Sequence, residues 1–317
     1  MKQPLVVGVD IGGTNTAFGL VNQAGDILVK ENVSTEHFPV AEDLVAVVCE
    51  HIRRALQSLA ADHELVGVGI GAPNGNYFKG TIEFAPNLKW KGIIPISKLF
   101  SDRLSVKTVL TNDANAAAIG EMVFGGAKGM KDFIVITLGT GLGSGIVANG
   151  ELIYGHDSCA GEIGHVVMFT DGRQCGCGRK GCLETYCSAT GIKRTYADLL
   201  MSRHERTHIA GMVADAKYIF DKAKAGDETA IEAFDYTGKI LGLALANSVA
   251  YTSPEAIFLF GGLALSDQFI FKPTIKSFEE NLLHIYKNKI KILPSLLKEN
   301  NAPILGAASL MWKQVMK

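Results

Sequence analysis

The chain is sparing with cysteine, six in 317 residues, and it has no long apolar run at its start. Its N-terminus, "MKQPLVVGVD", turns apolar after four residues, but Asp10 and Gly12 interrupt the run before a signal-peptide core or a membrane span is complete. A cytoplasmic protein is therefore expected. In that reducing compartment, clustered cysteines read as metal ligands or catalytic thiols, because cystines are disfavoured there. Charge of one sign is lacking too, since 31 Lys and Arg stand against 32 Asp and Glu, a net charge of −1. The densest basic stretch, "YKNKIK" at 286–291, reads as a solvated face, so neither nucleic acid nor a membrane surface is the expected partner. No Pro-, Ser- or Gly-rich linker divides the chain. At 47 % apolar and 20 % charged residues it reads as one large or two moderate globular domains that share a cleft.

Two common phosphate-binding signatures are also missing. A Walker A loop needs G-x-x-x-x-G-K-[ST], and no glycine here has the Lys and hydroxyl residue in that frame. A dinucleotide fingerprint needs G-x-G-x-x-G, whereas "GTGLGSG" has Ser144 at the third glycine position and leads into a second strand rather than a helix.

What is present is an internal repeat. "LVVGVDIGGTNTAFGLVNQAGDIL" (5–28) is echoed by "FIVITLGTGLGSGIVANGELI" (133–153): a buried strand, a Gly/Thr turn, a second strand, an Asn/Gly turn and a third strand. The first copy leads to a helix over 43–59, with Leu44, Val48, Ile52, Ala55, Leu56 and Leu59 on one face. "LVGVGIGAP" follows as a buried strand, then "VKTVLTNDANAAAIGE" (106–121) as strand and Ala-rich helix. "EAIFLFGGLALSD" (255–267) and the closing amphipathic helix "APILGAASLMWKQV" repeat the theme. Such alternation indicates an α/β protein with a mostly parallel sheet. Gly/Thr turns after buried strands let several backbone N–H groups converge on an anion, and two copies plus "FGGLA" fit a nucleotide held between two halves better than mere hairpin turns.

Chemistry is concentrated at two places. "TNDAN" sets Asn112 and Asp113 at a strand's carboxyl edge, where Asp113 suits either a general base or a helix N-cap, and the phosphate turns favour the base. Then "GEIGH" and "CGCGRKGCLE" combine as H-x9-C-x-C-x4-C, which is His165, Cys175, Cys177 and Cys182. Three thiolates and an imidazole complete a tetrahedral zinc shell with no open position, the pattern of a structural site. Cys49, Cys159 and Cys187 lie outside this spacing and read as packed thiols.

The ordered set "DIGGTNT", "NDANAAAIGE", "GTGLGSG", "GEIGH", "CGCGRKGCLE" and "FGGLA" resembles the ROK family of sugar kinases and sugar-responsive repressors. The resemblance implies the actin-like, hexokinase-like (ASKHA) fold, with a small α/β domain of residues 1–117 plus 303–317 and a large one of 118–302 that carries the zinc knuckle. It implies ATP and Mg²⁺ as well as structural Zn²⁺, and phosphoryl transfer to a hexose, glucose first. N-acetylmannosamine kinases and fructokinases are the alternatives, and a regulator is the alternative of another class. A regulator's helix-turn-helix would precede the first phosphate strand, where only four residues stand. Carried over by position, Asp113 resembles the general base. Asn87, Asn112, Glu162, His165 and Glu184 resemble sugar ligands, with Asp113 among them. Asp10, Gly12, Gly13, Thr14, Gly139, Thr140, Gly141, Gly261 and Gly262 match the phosphate and metal region. Family members are commonly dimers or tetramers, so a homo-oligomer is implied. One departure stands out: family kinases usually read P-G where this chain has Pro73-Asn74-Gly75. On this resemblance the knuckle fixes two sugar ligands, His165 and Glu184, and leaves the nucleotide turn alone.

Overall fold

The computed structural model describes residues 2–203, 215–297 and 300–316. It falls into two compact units, one of residues 1–130, 152–160 and 296–317, the other of residues 131–151 and 161–295.

The first unit is built on β1 (Gln3–Ile11), β2 (Asn15–Val21), β3 (Ile27–Ser34), β4 (His63–Gly71) and β8 (Thr108–Thr111), in spatial order β3-β2-β1-β4-β8. A second, three-stranded sheet of β5 (Gly75–Asn76), β6 (Thr81–Glu83) and β7 (Ile93–Ile94) lies between them in sequence, and strands this short carry no readable alternation. The helices of this stretch are α1 (Ala41–Leu59), α2 (Ile96–Leu104) and α3 (Asp113–Phe124). α1 forms where its apolar spacing predicts, burying Leu44, Val48 and Ile52, while Ala55, Leu56 and Leu59 pack half-buried on the same core.

The second unit repeats the plan. Its sheet has β9 (Phe133–Leu138), β10 (Leu142–Ala148), β11 (Glu151–Leu152), β12 (Ala256–Phe260) and β13 (Lys291–Pro294), in order β11-β10-β9-β12-β13. In each sheet the first strand of the hairpin pairs antiparallel with the second and parallel with a later strand, so the repeat seen in sequence is a repeat of topology. Around it pack α4 (Glu184–Cys187), α5 (Ala189–Ser202), α6 (Ala216–Lys224), α7 (Glu228–Thr252) and α8 (Gln268–Asn281).

α9 (Ala302–Val315) returns to the first unit. It is not amphipathic as the sequence suggested, for its residues from Gly306 to Trp312 are all buried. The cause is close packing on two sides. A Cβ at Gly8 or Gly69 of the sheet would overlap the carbonyls of Ile304 or Ala307, and one at Gly306 would come within 2.8 Å of Ala116 O in α3. That contact ties α3 to α9, and the first unit includes residues up to 130. Cys49 and Cys187 are buried as expected, but Cys159 is exposed. Among the described residues no helix is long and apolar enough to cross a membrane.

Candidate functional site

In the first unit, strand register gathers the chemistry at one sheet edge. Asp10 pairs with Gly71, and Gly71 with Thr111, so β1, β4 and β8 end in a row, directly before Asn112 and Asp113. A Cβ on Gly71 would stand 3.3 Å from the Ala116 Cβ, 3.6 Å from Asp10 Oδ1 and 4.0 Å from Asp113 Cα, so the glycine lets Asp10 and the start of α3 approach the same strand end. Burial, and then the neighbouring Asp113, push the Asp10 carboxyl up to about 7. Asp113 is open to solvent, yet the protein packed around it raises its carboxyl too, against the pull of the Ala114 and Asp113 backbone N–H groups. Two neighbouring carboxylates of like charge favour holding a proton or a cation between them.

The helix cap decides between the two readings of Asp113. Asn112 is the N-cap of α3, its Oδ1 accepting the Asn115 N–H at 2.7 Å, and Asp113 is the first helical residue. The phosphate-type turn Gly12–Thr14 closes through Gly12 N–H to Asn15 O at 2.9 Å. A Cβ at Gly13 would lie 2.5 Å from Asn87 O, so the turn rests on the Asn87 backbone, and the exposed Asn87 side chain belongs to the same neighbourhood. The "APNLKW" segment is anchored by Trp90 Nε1, which donates to Phe38 O at 3.0 Å. Where this chain reads Pro73-Asn74-Gly75, Asn74 takes the left-handed conformation, φ 51°, in a turn closed by Gly75 N–H to Ala72 O at 3.2 Å.

In the second unit, Thr137 pairs with Phe260, so the turn Gly139–Gly141 and the pair Gly261-Gly262 follow neighbouring strand ends. Leu263 N–H donates to Leu138 O across them at 3.2 Å. No atom lies within 4 Å of where a Cβ would stand on Gly139 or Gly262, an open backbone surface suited to phosphate oxygens.

The knuckle forms beside this turn. "CGCGRKGC" folds back on itself through the bridges Gln174–Lys180 and Val167–Cys182, bringing the ligand atoms of His165, Cys175, Cys177 and Cys182 within 4.8 Å of one another. Cys177 Sγ lies 3.6 Å from Cys182 Sγ, and His165 Nδ1 3.7 Å from Cys175 Sγ. Sulfurs about 3.8 Å apart are what a tetrahedral ion with bonds of about 2.3 Å requires, so the four can hold a metal. The Arg179 backbone N–H draws the Cys177 thiol down to about 6, while burial pushes Cys182 up to about 12 and raises Cys175. Glu162 is exposed, and its carbonyl accepts the His165 N–H at 3.0 Å, fixing the single helical turn between them.

Glu184 does something its sequence position did not reveal. Its Oε2 accepts the Leu142 N–H at 3.0 Å, at the end of the Gly139–Gly141 turn, while Oε1 lies 3.8 Å from Cys175 Sγ. Glu184 thus links the knuckle to the residue that follows the Gly139–Gly141 turn, a contact its place in the sequence does not show.

Two five-stranded sheets of repeated topology, each ending in a glycine turn and one flanked by a Cys/His knuckle, define an actin-like, hexokinase-like α/β protein. The chain belongs to the ROK family, whose model matches residues 6–314. It is 35 % identical over 314 residues to a glucokinase of Streptomyces coelicolor, covering 96 % of this chain and 97 % of that one. It superposes with TM-score 0.79 on a ROK family glucokinase from Streptomyces griseus solved with glucose and AMPPNP, at 34 % identity and covering 96 % and 98 % of the two chains. A weaker likeness, 27 % identity over 96 % of this chain and 76 % of the relative, joins it to a xylose repressor of Bacillus spizizenii.

Proposed function

We propose that this protein is an ATP-dependent hexose kinase that phosphorylates glucose at a hydroxyl group, with Asp113 as the general base. The observation that carries the proposal is the sheet edge where Asp113, relieved of capping by Asn112, stands beside Asp10 and the Gly12–Thr14 turn. Asn87, Asn112, Glu162, His165 and Glu184 are the proposed sugar ligands, offering the carboxylate and amide groups that pair with sugar hydroxyls. Asn112 Oδ1 is engaged in the cap, so its amide NH₂ is the group left to donate. Asp10, Gly12, Gly13, Thr14, Gly139, Thr140, Gly141, Gly261 and Gly262 form the proposed nucleotide region.

Phosphoryl transfer demands positioning and charge neutralisation more than covalent chemistry. The glycine turns present backbone N–H groups to phosphate oxygens, and Asp113 orients the attacking hydroxyl and takes its proton. Mg²⁺, when bound with the nucleotide, would neutralise phosphate charge, and Asp10 would be the carboxylate to hold it. Zn²⁺ is the proposed metal of His165, Cys175, Cys177 and Cys182. With four protein ligands it leaves no position for water, so its part is structural. The cytoplasm, where ATP is abundant and thiols stay reduced, is the proposed location, and a dimer or tetramer the proposed assembly.

The likeness to glucokinases over nearly the whole chain supports glucose over N-acetylmannosamine or fructose. The test is a phosphorylation assay with purified protein, ATP-Mg and a panel of hexoses. Glucose should give the highest kcat/KM. A protein that binds sugar but transfers no phosphate would favour the sugar-responsive regulator instead.

A further inference from the structure

We infer that Glu184 is a positioning residue for the nucleotide turn, and that through it the metal knuckle sets the affinity for the nucleotide even when no sugar is bound. The inference rests on the kinase reading of the Gly139–Gly141 turn and goes beyond the role of Glu184 as a sugar ligand.

Three contacts carry it. Glu184 Oε2 accepts the Leu142 N–H at 3.0 Å, and Leu142 is buried, so this N–H has little water to replace the carboxylate. A Cβ on Gly141 would overlap Glu184 Oε2, which means the turn is packed directly against the carboxylate and can be this tight because residue 141 has no side chain. On the other side of the turn, Gly139 O accepts the Ala189 N–H at 2.9 Å, from the first residue of α5. The segment 184–189 thus grips both ends of the turn.

The same segment is held by the knuckle. Cys182 is two residues before Glu184, and its carbonyl accepts both the Thr185 N–H at 3.0 Å and the Thr185 hydroxyl at 2.7 Å, a tight turn that transmits the position of Cys182 to Glu184. Glu184 Oε1 reaches to 3.8 Å from Cys175 Sγ. Behind it, the Ser188 hydroxyl donates to Glu184 O at 2.8 Å and its oxygen accepts the Gly191 N–H at 3.0 Å, which anchors the start of α5. A metal that fixes Cys182 therefore fixes Glu184 through this turn, and Glu184 fixes the backbone that receives the phosphates.

The test measures ADP affinity by calorimetry in the absence of sugar, for the metal-loaded and the chelator-stripped full-length protein. Glu184→Ala should weaken ADP binding about tenfold, and Glu184→Gln, whose amide oxygen still accepts the Leu142 N–H, by less than about threefold. Stripping the metal should weaken ADP binding to the parent protein by a similar factor and to Glu184→Ala hardly at all, since the link is already cut. Gly141→Ala should weaken ADP binding in the parent and add nothing in the Glu184→Ala background, where the overlapping carboxylate is gone. Gln at 184 and the Gly141 pair keep the test decisive if Ala alone unfolds the protein. Parent-like ADP binding by Glu184→Ala, or an equal loss on stripping with and without Glu184, overturns the inference and leaves the kinase reading standing. A parent protein that does not bind ADP overturns both.

Discussion

Asn112 caps the helix that Asp113 begins: its side-chain oxygen accepts the Asn115 N–H at 2.7 Å, and Asp113 takes the first helical position. An Asp at a helix start is ordinarily explained by capping. Here that task is already filled one residue earlier, so an Asp at 113 needs another explanation, and a base that accepts a sugar proton is one.

Asp113→Asn should therefore keep hexose binding while kcat falls by about 10²–10⁴, the usual share of a general base. Calorimetry with glucose beside the steady-state rate checks it. A mutant turning over near the parental rate would return Asp113 to a structural role.

Asn112→Ala removes the cap and should cost about 1 kcal/mol of stability. Because the cap also holds the turn from which Asp113 projects, kcat should drop as well. Asn112→Ser restores a capping oxygen and should recover the stability, though not the amide donor proposed for the sugar. Denaturant titration of the three proteins separates cap from ligand.

The raised carboxyl of Asp10 gives stability a definite dependence on pH. Its folded-state value, about 7, lies above the ordinary 3.8, so between those values the folded chain holds a proton that the unfolded chain has released. The contribution is fully present below about pH 4 and is lost as pH rises through about 7. Asp10→Asn should consequently be the more stable protein at pH 8, by about 4 kcal/mol without added Mg²⁺, and should match the parent at pH 4. A difference that is the same at both pH values would remove Asp10 as its source.

The repeated hairpin was legible because buried strands and glycine turns each leave a short-range pattern, and both sheets carry it in the same order. The knuckle was legible from spacing alone, since a loop of eight residues has few ways to bring Cys175, Cys177 and Cys182 together. The burial of α9 was hidden, because it depends on what glycines at positions 8 and 69 allow a distant helix to do. The bond from Glu184 to Leu142 was hidden for the same reason. Residues 42 apart in sequence meet only through the packing of the second unit, and nothing local marks them. The three short strands of residues 75–94 left no periodicity to read.

Gly69→Ala should show how tightly α9 is seated. Its methyl would overlap the Ala307 carbonyl, a backbone atom in a helix that is buried along its length and has little room to retreat. The expected loss is at least about 2 kcal/mol, at the upper end for an added methyl in a packed core. A thermal midpoint within a degree of the parent would mean that α9 shifts freely.

Cys177→Ala tests the knuckle as a whole. Cys177 is the exposed member of the four, and its replacement leaves three ligands where a closed site needs four. Metal analysis should find about one zinc per chain in the parent and substantially less in the mutant. Hexose affinity should fall about tenfold or more, because His165 is itself a ligand and Glu184 follows Cys182 by two residues, so both proposed sugar contacts lose their anchor. His165 presents Nδ1 to Cys175 Sγ, which leaves Nε2 as the nitrogen that could meet a sugar hydroxyl, and His165→Ala should then lose metal and sugar together. If Cys177→Ala gives up its zinc yet binds and phosphorylates glucose like the parent, the knuckle plays no part in shaping the sugar site.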